Sequence, residues 1–275
     1  MLRRWPSTTL VDMTETFQIP LEAAEVYEER FVPALFGQWA PLLIKEAGVD
    51  RGHRVLDVAC GTGIVARTAA DRVGPTGSVV GVDLNEAMLV VARRVRPDLD
   101  WRQGDVAELP FEDESFDVAL CQMALMFFPD QNRAIAEMAR VVTADGVVSI
   151  CVPAGLDEQP AYGPIDAVVG ELAGPEAQAL MTTYWSCGDL GYLRGLFASA
   201  GMTMTSTRTH VGTVKYPSVD DAVTTELEAT PLGELVSAEA YDALRQRARD
   251  LLQRYVADDG SIGIPLAGHL VVAGR

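Results

Sequence analysis

An α/β chain with a doubly wound, mostly parallel sheet and helices on both faces is the fold class that this sequence predicts. Three observations predict it. Runs of apolar, β-branched residues alternate with helical segments about every 20 to 30 residues, as crossover units require. Those runs suit strands covered on both faces. The first run ends in a glycine-rich turn, VLDVACGTGIVA (Val55–Ala66). That is the strand end at which open sheets of this kind bind ligands. The 275 residues suffice for one sizeable core with a small second lobe.

The elements follow in order. Residues Leu21–Glu46 read as helix interrupted at Pro33 and Pro41, because proline removes a donor and clashes with the preceding turn. Val55–Val58 is a buried strand and Ile64–Arg72 a helix; Ser78–Asp83 and Glu86–Arg94 repeat the pair. A weak strand lies near Leu99–Gln103 and a strong one, FDVALCQ, at Phe116–Gln122. Asn132–Val142 is helical with Asp130 as its N-cap, and Gly146–Val152 is another apolar strand. After Pro153 the stretch PAGLDEQPAYGP reads as a loop. Helices are expected over Ile165–Leu172, Leu190–Ala200, Val219–Glu228 and Ala238–Tyr255, with strands over Met202–Val214 and Leu266–Val272. The chain thus divides into a flexible N-terminus (1–20), a ligand-binding core with N-terminal helices (21–152), and a remainder (153–275). Within that remainder, 153–188 and 215–262 read as insertions forming a helical cap.

Composition excludes several function classes. The balance of 39 acidic to 22 basic residues, a net charge of −17, repels phosphate backbones, so no nucleic-acid partner is expected. No uninterrupted apolar run approaches the roughly 18 residues of a membrane span, so no membrane insertion is expected. MLRRWPSTTLVDMTETF has two arginines without an apolar segment behind them, unlike a secretory signal, and Met13 is an alternative start. A cytoplasmic chain with reduced thiols at Cys60, Cys121, Cys151 and Cys187 is therefore expected, and its apolar content is compatible with a homodimer. Three scattered histidines provide no ligand pair, so no metal is expected.

The glycine turn by itself serves anions generally, since small residues let the backbone approach and helix-start N–H groups favour negative charge. Asp83 ends the second strand 20 residues past Gly63, where a carboxylate can accept both hydroxyls of a ribose. That pair suits NAD as well as other adenosine ligands. Two features favour another ligand. Asp57 inside the loop is awkward beside a pyrophosphate but acceptable beside a cationic aminoacyl group. Gly104-Asp105-Val106 ends the third strand, where Asp105 can accept from an adenine amino group and Val106 can donate its N–H to the ring.

The set D-x-A-C-G-x-G, Asp83, G-D-V and FDVALCQ resembles the class I S-adenosylmethionine-dependent methyltransferases, and within them the small-molecule group that includes the quinone-biosynthesis enzymes. The stretch LPFEDESFDVALCQMALMFFPDQNRAIAEMARVVTADG is similar to that group throughout, and the matches cover roughly Leu43 to Val152. The resemblance implies a Rossmann-like methyltransferase sheet with S-adenosyl-L-methionine as cofactor. It implies that Asp57, Ala59, Gly61 and Gly63 line the methionyl part and that Asp83 holds the ribose. Leu84 and Met88 would pack on the adenine, Asp105 and Val106 would read its edge, and Gln122 with the Met123 backbone would lie near the sulfonium. Where that group commonly has Pro-Gly-Gly, this chain has Ala144-Asp145-Gly146, a difference expected to affect only a turn.

Methyl transfer is an in-line displacement at an activated carbon, so the protein mainly aligns the acceptor and excludes water. No compulsory catalytic residue is legible. His210, His269 and Tyr184 are the candidate bases, with Tyr27 and Tyr162 as further tyrosines, while His53 precedes the first strand and takes a structural role. The resemblance brings the N-terminal helical region, with Tyr27, Phe31, Phe36 and Trp39, over the cofactor. Met126, Phe127 and Phe128 follow the fourth strand, and Tyr184 and Trp185 lie in the first insertion. Tyr27, Phe36, Met126, Phe127, Tyr184 and Trp185 are accordingly the expected substrate pocket, and as a set they favour a flat, largely apolar, aromatic or polyketide-like small-molecule acceptor. The alternatives are a non-methylation reaction on the same fold, such as cyclisation or decarboxylation, and a NAD-dependent dehydrogenase.

Overall fold

The computed structural model describes residues 18–275, so the expectations for 1–17, Met13 included, lie outside the described residues. Ile19 is buried, and its carbonyl accepts a hydrogen bond from Asn85 Nδ2 at 2.9 Å, which ties this end of the described chain to the core. The chain begins with α1 (Leu21–Val26), a π-helical turn (Tyr27–Phe31), α2 (Val32–Ala34), a 3-10 turn (Phe36–Gln38) and α3 (Ala40–Glu46). Next come β1 (Arg54–Val58), α4 (Ile64–Val73), β2 (Ser78–Asp83), α5 (Glu86–Val95), β3 (Asp100–Gln103) and β4 (Phe116–Gln122). They are followed by α6 (Gln131–Val141), β5 (Val142–Pro153), α7 (Tyr162–Ala173), α8 (Pro175–Thr183), α9 (Leu190–Ser199) and β6 (Thr203–Tyr216). The chain closes with α10 (Val219–Ala229), α11 (Leu232–Leu235), α12 (Ala238–Leu252) and β7 (Ile262–Gly274).

Several details differ from the sequence expectation. Pro33 lies in a continuous helical run from Leu21 to Ala34, just past a π-helical turn in which the Val32 N–H reaches back to the Tyr27 carbonyl, and the run ends one residue later, where the chain bends at Leu35 (φ −125°, ψ −62°). Pro41 interrupts no helix, since it sits in the first turn of α3. A first turn leaves its N–H groups unbonded within the helix, so a proline there loses nothing. The short helix α8 was not expected, although Gly174-Pro175-Glu176 carries a helix-start signature. Ala144-Asp145-Gly146 forms no separate turn. These residues bulge within β5, whose pairing with β4 jumps from Phe116↔Val142 to Val118↔Val147.

The strand order is β3-β2-β1-β4-β5-β7-β6, with β1 to β5 parallel and β7 antiparallel between β5 and β6. The chain winds outward from β1 through β2 to β3, then returns to place β4 on the other side of β1. That reversal leaves a crevice at the carboxyl ends of β1 and β4. Strands β6 and β7 remain paired up to Tyr216↔Ile262, well past the Pro153↔Gly268 pair where β5 stops. Their overhanging ends rise above the crevice as a wall. Two buried layers sandwich the sheet. Trp39, Leu43 and Leu89 fill one face, and Leu125, Ile135, Met138 and Phe197 the other. No helix among the described residues is long and apolar enough to cross a membrane.

Asp130 caps α6 as the sequence suggests, its side chain accepting from the Arg133 N–H at 2.9 Å. Asp130→Ala leaves that donor to water and is expected to cost about 1 kcal/mol in urea unfolding. An unchanged midpoint would show that solvent replaces the cap.

Candidate cofactor and acceptor site

The site starts from a short, fully buried strand. β1 reads RVLDV, and from Val55 to Val58 every residue is buried, so the chain must turn abruptly to leave the sheet. It does so with three residues of positive φ: Ala59 (52°), Gly61 (55°) and Gly63 (89°). Gly63 is the N-cap of α4 and has no side chain to cap with. Asp57 replaces it: its Oδ2 accepts the Ala66 N–H at 2.8 Å. Burial, with a smaller push from the nearby Asp83 charge, holds the Asp57 carboxyl up at about 8 against the pull of that N–H.

Asp83 ends β2 beside this loop. Its Oδ2 accepts the Gly61 N–H and its Oδ1 the Asn85 N–H, both at 2.8 Å, so loop and helix start are tied to one carboxylate. Burial raises its pKa, while the amides of Asn85, Gly61 and Leu84 pull it down. Beyond β3, Asp105 turns one oxygen to the Ala107 N–H at 2.8 Å. At the end of β4, Gln122 donates through Nε2 to the Phe36 carbonyl at 3.1 Å, which leaves its Oε1 buried without a partner among the described residues. Met123 adopts positive φ (53°) and donates its N–H to the Cys151 carbonyl at 2.7 Å.

These strand ends open into a cavity of about 290 Å³. Ala59, Gly61, Asp83, Leu84, Met88, Asp105, Val106, Gln122 and Met123 all lie on its wall. Asp57 and Gly63 do not. Asp57 is turned under the loop toward α4, and Gly63 is covered by the Trp101 ring. Both support the loop from behind.

Aromatic side chains form the rest of the wall. Tyr27 stacks on Phe36 with ring centroids 4.9 Å apart, and Phe31 tilts against both. Tyr27 closes over the loop: a Cβ on Gly61 would lie 3.9 Å from its hydroxyl. Phe127 meets Tyr184 edge-on at 5.6 Å, and Tyr162 packs on Trp185 at 4.9 Å. Met126 completes the set of six expected pocket residues on this wall. Val214, Tyr216, Ile264 and Leu266 join it from the overhanging ends of β6 and β7. Trp39 departs from expectation: it is fully buried, with the His210 ring edge-on at 5.4 Å, and serves the core.

Of the candidate bases, Tyr184 lies on the cavity wall, as do the further tyrosines Tyr27 and Tyr162, and neither histidine does. His269 is buried between Thr209 Oγ1 (2.9 Å) and the Gly188 carbonyl (3.1 Å), and His210 lies on the Trp39 side of the sheet. Burial, reinforced by the Glu226 charge, pushes the Tyr184 phenol well above its ordinary range. Tyr184 is therefore a proton-bearing donor, and its hydroxyl donates to Glu226 Oε1 at 3.0 Å. Sequence reasoning missed Glu226. A signal was present: Val219, Ala222 and Val223 form an apolar helical stripe, and Glu226 falls on its next turn. Burial holds its carboxyl up at about 7, with the Tyr184 hydroxyl pulling the other way.

Residues 56–150 match the model of a methyltransferase domain. The demethylmenaquinone methyltransferase of Staphylococcus aureus (strain JH9) is 37% identical over 127 residues, which are 45% of this chain and 52% of that protein. The chain thus spans about half the length of the curated relatives it matches. Among solved structures, the YcgJ protein of Bacillus subtilis aligns with a TM-score of 0.60 at 22% identity, over 86% of this chain and 98% of that one. Phosphoethanolamine N-methyltransferase 2 of Haemonchus contortus, solved with S-adenosylhomocysteine, aligns with a TM-score of 0.58 at 22% identity, over 92% and 56%. The residues present fit the adenosyl cofactor of such domains: a buried carboxylate ends β2 on the cavity wall, and the Gln122 oxygen awaits a donor. Residues 56–150 are thus similar to a methyltransferase domain, in a chain that shares the Rossmann-like fold of the aligned structures and whose core is similar in sequence to a quinone-biosynthesis methyltransferase.

Proposed function

We propose that this protein transfers a methyl group from S-adenosylmethionine to O, N or C of a small, largely apolar acceptor enclosed by the cap. One observation carries this reading: a single cavity joins the strand-end carboxylates and amides to an aromatic wall supplied by α1 to α2, the β4–α6 segment and the α7 to α12 region. Residues 21–152 then form the cofactor half, and 153–275 complete the sheet and the cap. The bound cofactor supplies a methyl group on a positive sulfonium. Asp83 accepts from the ribose hydroxyls, Leu84 and Met88 flank the adenine, and Asp105 with the Val106 N–H reads its edge. Ala59, Gly61, Gln122 and the Met123 backbone surround the methionyl end. Tyr27, Phe36, Met126, Phe127, Tyr184 and Trp185 hold the acceptor against that end and keep water out, which is the main demand of an in-line displacement.

Thermal unfolding with S-adenosylhomocysteine, compared with NAD, tests this reading. A ligand at 100 times its dissociation constant adds about 2.7 kcal/mol to stability. Stabilisation by S-adenosylhomocysteine and not by NAD is expected, followed by transfer of labelled methyl to aromatic acceptors. Stabilisation by NAD alone would overturn the reading. A bound and unconsumed cofactor across an acceptor screen would point to chemistry other than methylation.

A further inference from the structure

The inner face of α10 carries a carboxyl group that no cation among the described residues meets. At the start of that helix Asp220 is paired with Arg245 and Arg249, and at its end Glu228 is paired with Arg30 at 3.0 Å. Glu226, between them, faces inward onto the cavity, and its carboxylate accepts a hydrogen bond from the neutral Tyr184 hydroxyl. The described residues lining the cavity include three carboxylates, Asp83, Asp105 and Glu226, and no lysine, arginine or histidine. Asp83 and Asp105 have backbone N–H partners at the strand ends. Glu226 has aromatic neighbours instead: its charge acts on the phenols of Tyr162, Tyr184 and Tyr216, and Trp185 packs on Tyr162.

A desolvated carboxylate is costly unless paired, and aromatic faces around it attract positive charge. An anionic acceptor would be repelled, and a neutral hydroxyl would leave the charge uncompensated. Building on the proposed function, we infer that Glu226 is the specificity-determining anchor for a protonated amine carried by an otherwise apolar acceptor. A protonated amine has no free lone pair, so the anchored group is not the nucleophile. The methylated atom is then a different position on the same molecule, and the acceptor has two functional groups.

Three indoles of matched shape test this by calorimetry on the whole chain, with and without saturating S-adenosylhomocysteine: tryptamine (cationic), tryptophol (neutral) and indoleacetate (anionic). Tryptamine is expected to bind at least about tenfold more tightly than tryptophol, with indoleacetate weakest, because a bond between two ions is stronger than one from a neutral hydroxyl to the same carboxylate. In Glu226→Gln the preference for tryptamine should vanish, while Tyr184→Phe, which keeps the carboxylate, should retain it. Equal binding of tryptamine and tryptophol, a preference that survives Glu226→Gln, or no binding by any of the three overturns the inference. The ordering in the unmodified protein decides the matter even where Glu226→Gln does not fold. Stabilisation by S-adenosylhomocysteine, read in the same samples, reports separately on the cofactor reading.

Discussion

Asp83→Ala is expected to weaken S-adenosylhomocysteine binding by at least about a hundredfold, measured by calorimetry. The carboxylate already accepts the Gly61 and Asn85 N–H groups, one on each oxygen, and these bonds hold it facing the cavity. Its remaining acceptor capacity is available to two ribose hydroxyls. Hydrogen bonds to a charged group contribute roughly 1.5 to 3 kcal/mol each, so two of them exceed the 2.7 kcal/mol that corresponds to a hundredfold. The same substitution releases the Gly61 N–H and loosens the loop on the methionyl side, which adds to the loss. Asp83→Asn keeps the shape and one acceptor oxygen and should lose about tenfold. A fall of less than about fivefold in the alanine variant would mean that Asp83 only braces the loop and does not touch the ligand.

Gly63→Ala is expected to lower global stability by about 3 kcal/mol although it adds one methyl group. Two costs combine. Gly63 has φ +89°, where a Cβ is strained by about 1 to 2 kcal/mol. That Cβ would also stand 2.2 Å from Trp101 Cη2 and 2.7 Å from Cζ3, an overlap that the buried ring relieves only by moving. Overpacking of this kind costs about 1 to 3 kcal/mol. A drop of about 6 to 12 °C in the unfolding midpoint should follow. A Trp101→Leu background separates the terms: with the ring gone, the added cost of Gly63→Ala should shrink to the backbone part, about 1 to 2 kcal/mol. A neutral Gly63→Ala variant would contradict the packing of Trp101 on this loop.

Much of the sheet was legible because its signals are local. The runs at Val55–Val58, Ser78–Asp83 and Phe116–Gln122 are apolar on both faces, and each became a strand within a residue of its expected limits. Asn85 and Asp130 show why helix starts read well: a side chain that accepts from a backbone N–H two or three residues on leaves a mark in the sequence. Local signals failed where the partner lay far along the chain. The overhang of β6 and β7 is shorter in the sequence reading, which ends one strand at Val214 and begins the other at Leu266, because Lys215–Tyr216 and Ile262–Pro265 have no meaning as strand until the two segments pair. Histidine is equally mute by itself. His269 reads as a possible base from its strand, but the sheet places it between Thr209 and the Gly188 carbonyl, off the cavity wall.

The candidate site divides along the same line. The cofactor half was readable because one short loop and two strand-end acids carry it, and their spacing reflects crossover geometry. Within that half, tertiary packing decided that Asp57 and Gly63 face away from the cavity, since α4 claims one and Trp101 covers the other. The acceptor half was decided by tertiary structure. Whether a residue of α10 meets water or the cavity depends on the rotation of that helix against the N-terminal helical region and the β6–β7 overhang. Sequence alone determined that this chain winds a mostly parallel sheet around a glycine-rich strand-end loop, because hydrophobic period and turn chemistry act over a few residues. Only the folded chain set Glu226, an acid among acids in the sequence, inside an apolar cavity where no described residue offers it a cation, because desolvation is a property of surroundings assembled from distant segments.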